Sequence, residues 1–209
     1  MSFLQDTAGI TYKPVATIKR LKDHGNLPVA LLLITVFYAG SSISTFIFPP
    51  TQTLKPQALF LYRTIIVWGP LAIILFVWFI PSLLIHSAAR ITRTKGSLLS
   101  LMRVLAYPLV IVALIVFMLG VSLDTLRFLG LIYNNTLPGF LGLVGSVWLI
   151  SISFLAVREV YEVSTGRAIL ILFLGLVCFF VLGVLLLYLG IIFGKIGFWY
   201  LQRLLPGRL

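Results

Sequence analysis

Acidic side chains and cysteine are scarce in this sequence. Only five of its 209 residues are Asp or Glu, and its single cysteine, Cys178, lies inside a long apolar run. One thiol excludes an internal disulfide and a site of several thiolates, so we expect Cys178 to be a small packing residue. No His-Glu-x-x-His, Gly-x-Ser-x-Gly or P-loop pattern occurs either. These absences predict a protein that is not an enzyme and that needs no metal or cofactor.

Charged residues of either sign are missing from long parts of the chain. Five charge-free runs extend over residues 24–54, 64–89, 104–123, 128–157 and 168–194. The shortest has 20 residues, which as a helix rise about 30 Å, the thickness of a bilayer's hydrocarbon core. The sequence therefore predicts an all-α polytopic membrane protein, a five-helix transmembrane bundle over residues 27–194. Residues 1–26 would form a cytoplasmic tail and residues 195–209 a short basic and aromatic tail.

The distribution of Lys and Arg between the runs predicts an orientation. Alternate connecting segments, counted from the N-terminus, hold ten basic residues, and the other segments hold six. The positive-inside rule then places the N-terminus in the cytoplasm and the C-terminus outside. The first run could mimic a signal peptide, but its basic start is unusually long, so a retained helix fits better.

The N-terminal tail has the pattern of a short amphipathic helix. Val15, Ile18 and Leu21 recur at three-residue spacing opposite basic residues, which predicts a helix on the inner leaflet. A frayed basic tail is the alternative. Dispersed positive charge disfavours nucleic acid as a partner, and we expect these basic residues of the tail and of the loop after the second span to contact lipid headgroups: Lys19, Arg20, Lys22, Arg90, Arg93 and Lys95.

The last run carries glycines along one helical stripe. A stripe of small residues lets two helices approach closely, and its last two glycines form a G-x-x-x-G pattern. The partner could be another helix of this chain or a second protein. The glycines are Gly175, Gly183, Gly190 and Gly194.

Two polar loops face the predicted cytoplasmic side. The first, residues 90–97, is purely basic, and nearby His86 is expected to be an interfacial histidine rather than a proton relay. The second, residues 158–167, carries both signs. Its Arg158 and Glu162 are four residues apart and could pair on one helix.

Short motifs in these loops and in the third and fourth spans resemble the Yip-domain family, which is named for interaction with Ypt/Rab GTPases. They are Thr94-Lys95-Gly96-Ser97, Leu105-Ala106-Tyr107-Pro108, Trp148, Arg158-Glu159-Val160-Tyr161 and Ser164-Thr165-Gly166-Arg167-Ala168. The resemblance implies five spans, a cytoplasmic N-terminus and a non-catalytic role, which in eukaryotic relatives is vesicle traffic through a long cytosolic N-terminal region. Only about 26 residues precede the first span here, which resembles the compact prokaryotic branch and predicts a prokaryotic plasma membrane.

Three functions follow as hypotheses. The first is a scaffold or accessory subunit that binds another membrane protein or a second copy of itself. Its candidate interaction residues are Tyr107, Pro108, Arg158, Glu159, Gly166, Gly190 and Gly194. The second is a small-solute or ion channel or transporter, suggested by a hydroxyl cluster at Ser41, Ser42, Ser44 and Thr45 and by the prolines Pro70, Pro81 and Pro108. The third is a membrane-traffic factor like the eukaryotic relatives.

Overall fold

Helices account for all the regular structure in the described part of the chain. The computed structural model of the protein describes residues 3–47, 68–69, 72, 74–128 and 136–204. Its main elements, in chain order, are seven α-helices and one π-helical turn. The all-α class predicted from the charge-free runs is therefore confirmed.

Two short helices come before the first apolar one. Helix α1 extends over Phe3–Tyr12 and α2 over Pro14–His24. Pro14 lies in the first turn of α2, where its missing N–H costs no hydrogen bond. Gly9 lets the two helices approach, because a Cβ there would lie 2.6 Å from Oγ1 of Thr17.

The apolar face of α2 packs on protein and not on lipid. Ile18 and Leu21, which we expected to face the inner leaflet, are completely buried in the protein core. Helix α1, with its buried Ile10, is absent from the sequence prediction altogether. The expected interfacial helix is thus one arm of a helical hairpin that covers one end of the bundle.

Helix α3 extends over Leu27–Ile47. Pro70, one of the prolines that suggested a channel, lies outside the described residues.

A widened turn precedes the fourth α-helix. A π-helical segment, Ile74–Phe79, leads directly into α4, Ile80–Ile91. Pro81 follows this turn, as expected for a residue that cannot donate to the helical ladder. The hydroxyl of Ser82 donates to the carbonyl of Trp78 at 2.6 Å, and Nε1 of Trp78 donates to the carbonyl of Met102 at 3.1 Å. These hydrogen bonds tie the π-helical turn to α4 through Ser82 and to the following helix through Met102.

Three long helices complete the fold. Helix α5 extends over Leu98–Phe128, α6 over Thr136–Tyr161 and α7 over Thr165–Leu204. Helix α5 is central, because it contacts α1, α2, α3, α4 and α6. Helix α7 packs mainly on α4 and also contacts α6. It continues ten residues past the predicted end of the fifth run at residue 194.

Apolar stretches of membrane-spanning length occur in three described helices. They are Leu98–Ser122, Gly142–Tyr161 and Thr165–Leu186, and two shorter apolar stretches occupy Leu27–Gly40 and Phe76–Ile91. Length and composition therefore support several membrane-spanning helices, and the number five stays a prediction.

Candidate interaction surface at the polar end of the bundle

The connection from α2 to α3, the loop from α4 to α5 and the loop from α6 to α7 meet at one end of the bundle, here called the polar end. A contact between Gly96 and Tyr161 joins the two loops, and an ion pair between Lys22 and Glu162 joins α2 to the second. The end thus brings together the sequence motifs that lie far apart in the chain.

Helix α4 ends in a Schellman motif. The backbone N–H of Thr94 donates to the carbonyl of Ala89 at 3.1 Å, and that of Arg93 donates to Arg90 at 3.0 Å. The buried hydroxyl of Thr94 also donates to Ala89, at 2.7 Å. Arg93 has a φ of 57°, a left-handed conformation in which glycine is usual.

Helix α6 ends in a similar way. The N–H of Val163 donates to the carbonyl of Arg158 at 3.2 Å, and Glu162 has a φ of 51°. Each of the two loops therefore places a charged residue at the left-handed position, where an L side chain is disfavoured by about 1–2 kcal/mol. In both turns the strained backbone position is occupied by a charged residue at the polar end.

Tyr161 connects the two loops through its ring and its hydroxyl. Its side chain is almost completely buried. A Cβ on Gly96 would lie 2.3 Å from Cδ1 of this ring, so only glycine fits there. The hydroxyl shares a hydrogen bond of 2.8 Å with Nδ1 of His86. The histidine that we expected to be interfacial therefore has a defined protein partner, which sequence spacing could not show.

Tyr107 likewise connects separate parts of the chain, joining α5 to α1 and to the residue before α3. It is 1% exposed, and its ring centroid lies 4.9 Å from that of Phe3 in α1. Its hydroxyl accepts a hydrogen bond from the backbone N–H of Asn26 at 2.8 Å, just before α3 begins. The next residue, Pro108, is fully buried inside α5. These two predicted interaction residues are thus part of the core and are not accessible to a partner.

Ion pairs attach α2 to the end of α6. Nζ of Lys22 lies 2.8 Å from Oε1 of Glu162, and Nζ of Lys19 lies 3.7 Å from Oε2 of Glu159. Arg158 donates to Oε1 of Glu159 from Nε at 2.9 Å and from Nη2 at 2.7 Å. The predicted pair between Arg158 and Glu162 is wrong, because the left-handed backbone at Glu162 ends the helix and Lys22 takes its carboxylate.

The Lys22–Glu162 pair shifts the pKa values of both groups. The hydrogen bond from Lys22 lowers the pKa of the Glu162 carboxyl, and the attraction of the ammonium adds to the shift. The same hydrogen bond raises the pKa of the Lys22 amine, against a smaller opposing effect of desolvation. Both shifts favour the charged forms, so the pair is fully formed near neutral pH.

A shallow open groove lies between α2 and the α6–α7 loop. Its volume is about 520 Å³. Its lining contains three cations and two carboxylates, which suits a polar partner of mixed charge better than a single small ion. The lining residues are Lys19, Lys22, Arg158, Glu159, Glu162 and Val163. Within the described ranges, no three His, Cys, Asp or Glu side chains lie close enough to bind one metal ion.

The six basic residues expected to contact lipid divide into two groups. Lys19 and Lys22 pair with Glu159 and Glu162, and Arg20 pairs with Asp6 of α1. By contrast, Arg90, Arg93 and Lys95 are exposed, and the described residues offer them no ion-pair partner. Only the second group is free to bind an external anion with its whole charge.

The predicted glycine stripe packs at only one of its described positions. A Cβ on Gly175 would lie 3.0 Å from Cγ1 of Ile85 in α4, whereas nothing lies within 4 Å of a Cβ on Gly183. Gly166 is equally open. Gly190 and Gly194 belong to α7, but their surroundings lie outside the described residues. Cys178 is exposed, so the expectation that it packs inside the protein is wrong.

Sequence reasoning missed the residues that fasten the N-terminal hairpin. Phe3, Asp6 and Asn26 each contact another element at the polar end. Of these residues, Asn26 was the easiest to predict from the sequence, because Asn is a preferred helix N-cap. In the structure its Oδ1 accepts the N–H of Val29 at 3.3 Å.

A scan against protein families identifies the domain. The family model described as Yip1 domain matches residues 8–201. Searches of the curated proteins and of the solved structures found no significant match. The matched range includes α2 to α6, the larger part of α7 and both polar loops. The chain therefore belongs to the Yip1 domain family, and it is an all-helical, multi-pass membrane protein.

Proposed function

We propose that this protein is a non-enzymatic membrane scaffold or accessory subunit that binds a partner through its polar end. The observation that carries the proposal is the groove between α2 and the α6–α7 loop, in which the exposed ammonium of Lys19 lies beside the largely buried carboxylate of Glu159. Three separate parts of the chain hold this surface in place through Tyr107, Tyr161 and the ion pairs. A rigid, open surface of mixed charge suits recognition of another protein.

We also propose that the chain crosses the membrane five times, with the polar end in the cytoplasm. Three of the described helices are long and apolar enough to cross a membrane. Helix α3 has 21 residues, about 32 Å of helix, and lies wholly within the charge-free run 24–54. Helix α4 lies almost entirely in the charge-free run 64–89, which is also long enough. The excess of Lys and Arg on this side supports a cytoplasmic N-terminus and an outer C-terminus. The compartment that we propose is the prokaryotic plasma membrane implied by the family resemblance.

The partner that we propose is another membrane protein or a second copy of this chain. The side of α7 that bears Gly183 is open, and large apolar residues such as Phe173 and Phe180 on this helix are exposed. A second transmembrane helix can approach such a surface closely. Cytoplasmic contacts at the groove would then set the orientation of the partner.

Purification in a mild detergent with two charge-reversal variants tests the proposal. Lys19→Glu reverses an exposed charge inside the groove, and Lys13→Glu reverses an exposed charge outside it. We expect the wild type and Lys13→Glu to purify with one stoichiometric partner or as a homo-oligomer, and Lys19→Glu to purify without it. Thermal unfolding should be similar in all three, because exposed ion pairs contribute little to stability. A wild-type protein that is a lone monomer would contradict the proposal.

The membrane contact has a separate test. Gly190→Leu and Gly194→Leu should weaken the same complex, because a bulky side chain prevents close helix approach. An unchanged complex would mean that the glycine stripe is not the contact.

Transport is the outcome that would replace this proposal. Solute or ion flux into proteoliposomes, lost when Ser41, Ser42 and Ser44 are replaced by Ala, would show a conducting path. The side chains of these serines lie outside the described residues.

A further inference from the structure

A second set of charged residues at the polar end takes no part in lining the groove. It consists of exposed basic residues from the end of α4, the α4–α5 loop and the start of α7. We call it the α4–α7 basic patch. Its members are Arg90, Arg93, Lys95 and Arg167.

The packing of α4 against α7 sets the level of these residues. The two helices are antiparallel, and Ile85 of α4 lies against Gly175 of α7. Six residues further toward the polar end on each helix, Ile91 and Ile169 lie at the same level, and they are 75% and 56% exposed. Arg90 is adjacent to Ile91 in α4, and Arg167 lies two residues from Ile169 in α7, so both cations are within one helical turn of these isoleucines. Arg93 lies in the turn that ends α4.

The patch therefore has the order of a membrane interface. Exposed apolar side chains and exposed cations lie within one helical turn of each other at the polar ends of α4 and α7. Such an arrangement places the isoleucines in acyl chains and the cations among phosphate groups. An acidic soluble partner would satisfy the charges but not the exposed Ile91.

The loop presents these cations in a fixed geometry. The Schellman motif holds Arg93 at a φ of 57°. The buried hydroxyl of Thr94 and the contact of Gly96 with Tyr161 secure the residues on either side of Lys95. Glycine would relieve the strain at residue 93, so the presence of arginine favours a task for its side chain.

Three of the five acidic residues form ion pairs elsewhere. Asp6 pairs with Arg20 and Glu162 with Lys22, while Glu159 pairs with Lys19 and Arg158. None of these described ion pairs includes a member of the patch. The patch is therefore a net positive surface, whereas the groove is largely neutralised.

We propose that the α4–α7 basic patch binds anionic phospholipid headgroups selectively, and that Lys19 and Lys22 of α2 contribute little to this binding. The inference goes beyond the scaffold function and does not depend on it, because the patch shares no residue with the lining of the groove. It also separates basic residues that form ion pairs within the protein from those that do not, a distinction that the positive-inside rule does not make.

The test titrates the full-length protein in mild detergent with short-chain phosphatidylglycerol and, separately, with phosphatidylcholine, and counts bound lipid by native mass spectrometry. R90Q/R93Q removes two charges from the patch, and K19Q/K22Q removes two charges from α2. We expect phosphatidylglycerol affinity to fall about fivefold for each patch charge removed. K19Q/K22Q should bind phosphatidylglycerol like the wild type, and phosphatidylcholine binding should stay unchanged in all.

A second double variant protects the test against misfolding, since Arg90 lies in the final turn of α4 and Arg93 in the turn that ends this helix. K95Q/R167Q leaves that turn intact and should show a similar loss. Two results would overturn the proposal: a wild-type protein without preference for phosphatidylglycerol, or equal losses in K19Q/K22Q and in the patch variants.

Discussion

Helices α5 and α7 are both long and strongly apolar, yet protein covers them very differently. In an apolar 18-residue window of α5, 44% of the residues are buried inside the protein, compared with 11% in the corresponding window of α7. Helix α7 is the more apolar of the two. Apolarity along a membrane helix therefore does not report burial in protein, because lipid chains solvate an apolar side chain as well as a neighbouring helix does.

The difference between these helices is concentrated at the polar end. Residues 104–110 of α5 are all buried there, beneath α1, α2 and α3. Most large residues of α7, such as Leu176 and Val181, are exposed. We infer that the stability of the fold depends mainly on the polar half of α5, and that α7 is available for lipid or a partner. Four predictions, from the largest expected effect to the smallest, test this comparison.

The largest effect is expected at Tyr107. Tyr107→Ala removes a buried ring that packs on Phe3 and leaves the N–H of Asn26 without its acceptor. We expect a loss of about 3–5 kcal/mol in the free energy of unfolding, measured by reversible unfolding in mixed micelles. Phe180→Ala on α7, where the ring is 71% exposed, should cost less than about 0.5 kcal/mol. Equal losses would break the comparison.

Glycine substitutions give the second contrast. Gly96→Ala places a Cβ against the ring of Tyr161 and should displace its hydroxyl from His86. The expected loss is about 1–3 kcal/mol, as for other overpacked sites. Gly166→Ala in α7 meets no neighbour within 4 Å and should leave stability unchanged or raise it by up to about 1 kcal/mol. Thermal unfolding of the two variants side by side distinguishes these cases.

The left-handed turn after α4 should allow a stabilising change. Arg93→Gly removes the strain of an L side chain at a φ of 57° and should stabilise the protein in detergent by about 1 kcal/mol. Arg93→Ala keeps the strain and serves as the control, with no gain expected. If both variants gain equally, backbone strain is not the cause.

The smallest effect is expected at the exposed Lys22–Glu162 pair. The lowered pKa of Glu162 means that its contribution is present at neutral pH and is lost as pH falls through that pKa. The raised pKa of Lys22 means that its contribution is lost only as pH rises through that pKa. The melting temperature of the wild type should slightly exceed that of Lys22→Gln at neutral pH, and the difference should vanish in acid. A difference independent of pH would exclude the ion pair as its source.

Local sequence signals predicted the residues of the polar end but not their contacts. The motif around Gly96 and the motif around Tyr161 were both recognised, and the structure shows that one ring joins them. The pairing of Arg158 was assigned to the wrong carboxylate, because helical spacing cannot show where α6 ends or that α2 supplies Lys22. Helix α1 was missed, since ten residues with weak amphipathic character give little local signal.

The sequence by itself determined the helical class and the membrane environment. Charge-free runs of at least 20 residues are readable without any structure, because the cost of a charge in hydrocarbon depends on composition and length. Only the tertiary structure decided which apolar faces meet protein and which basic residues have internal partners. Those choices depend on contacts between distant segments, such as Asn26 with Tyr107 and Lys22 with Glu162. No local sequence pattern predicts these contacts, because an apolar side chain is equally favourable against lipid and against another helix.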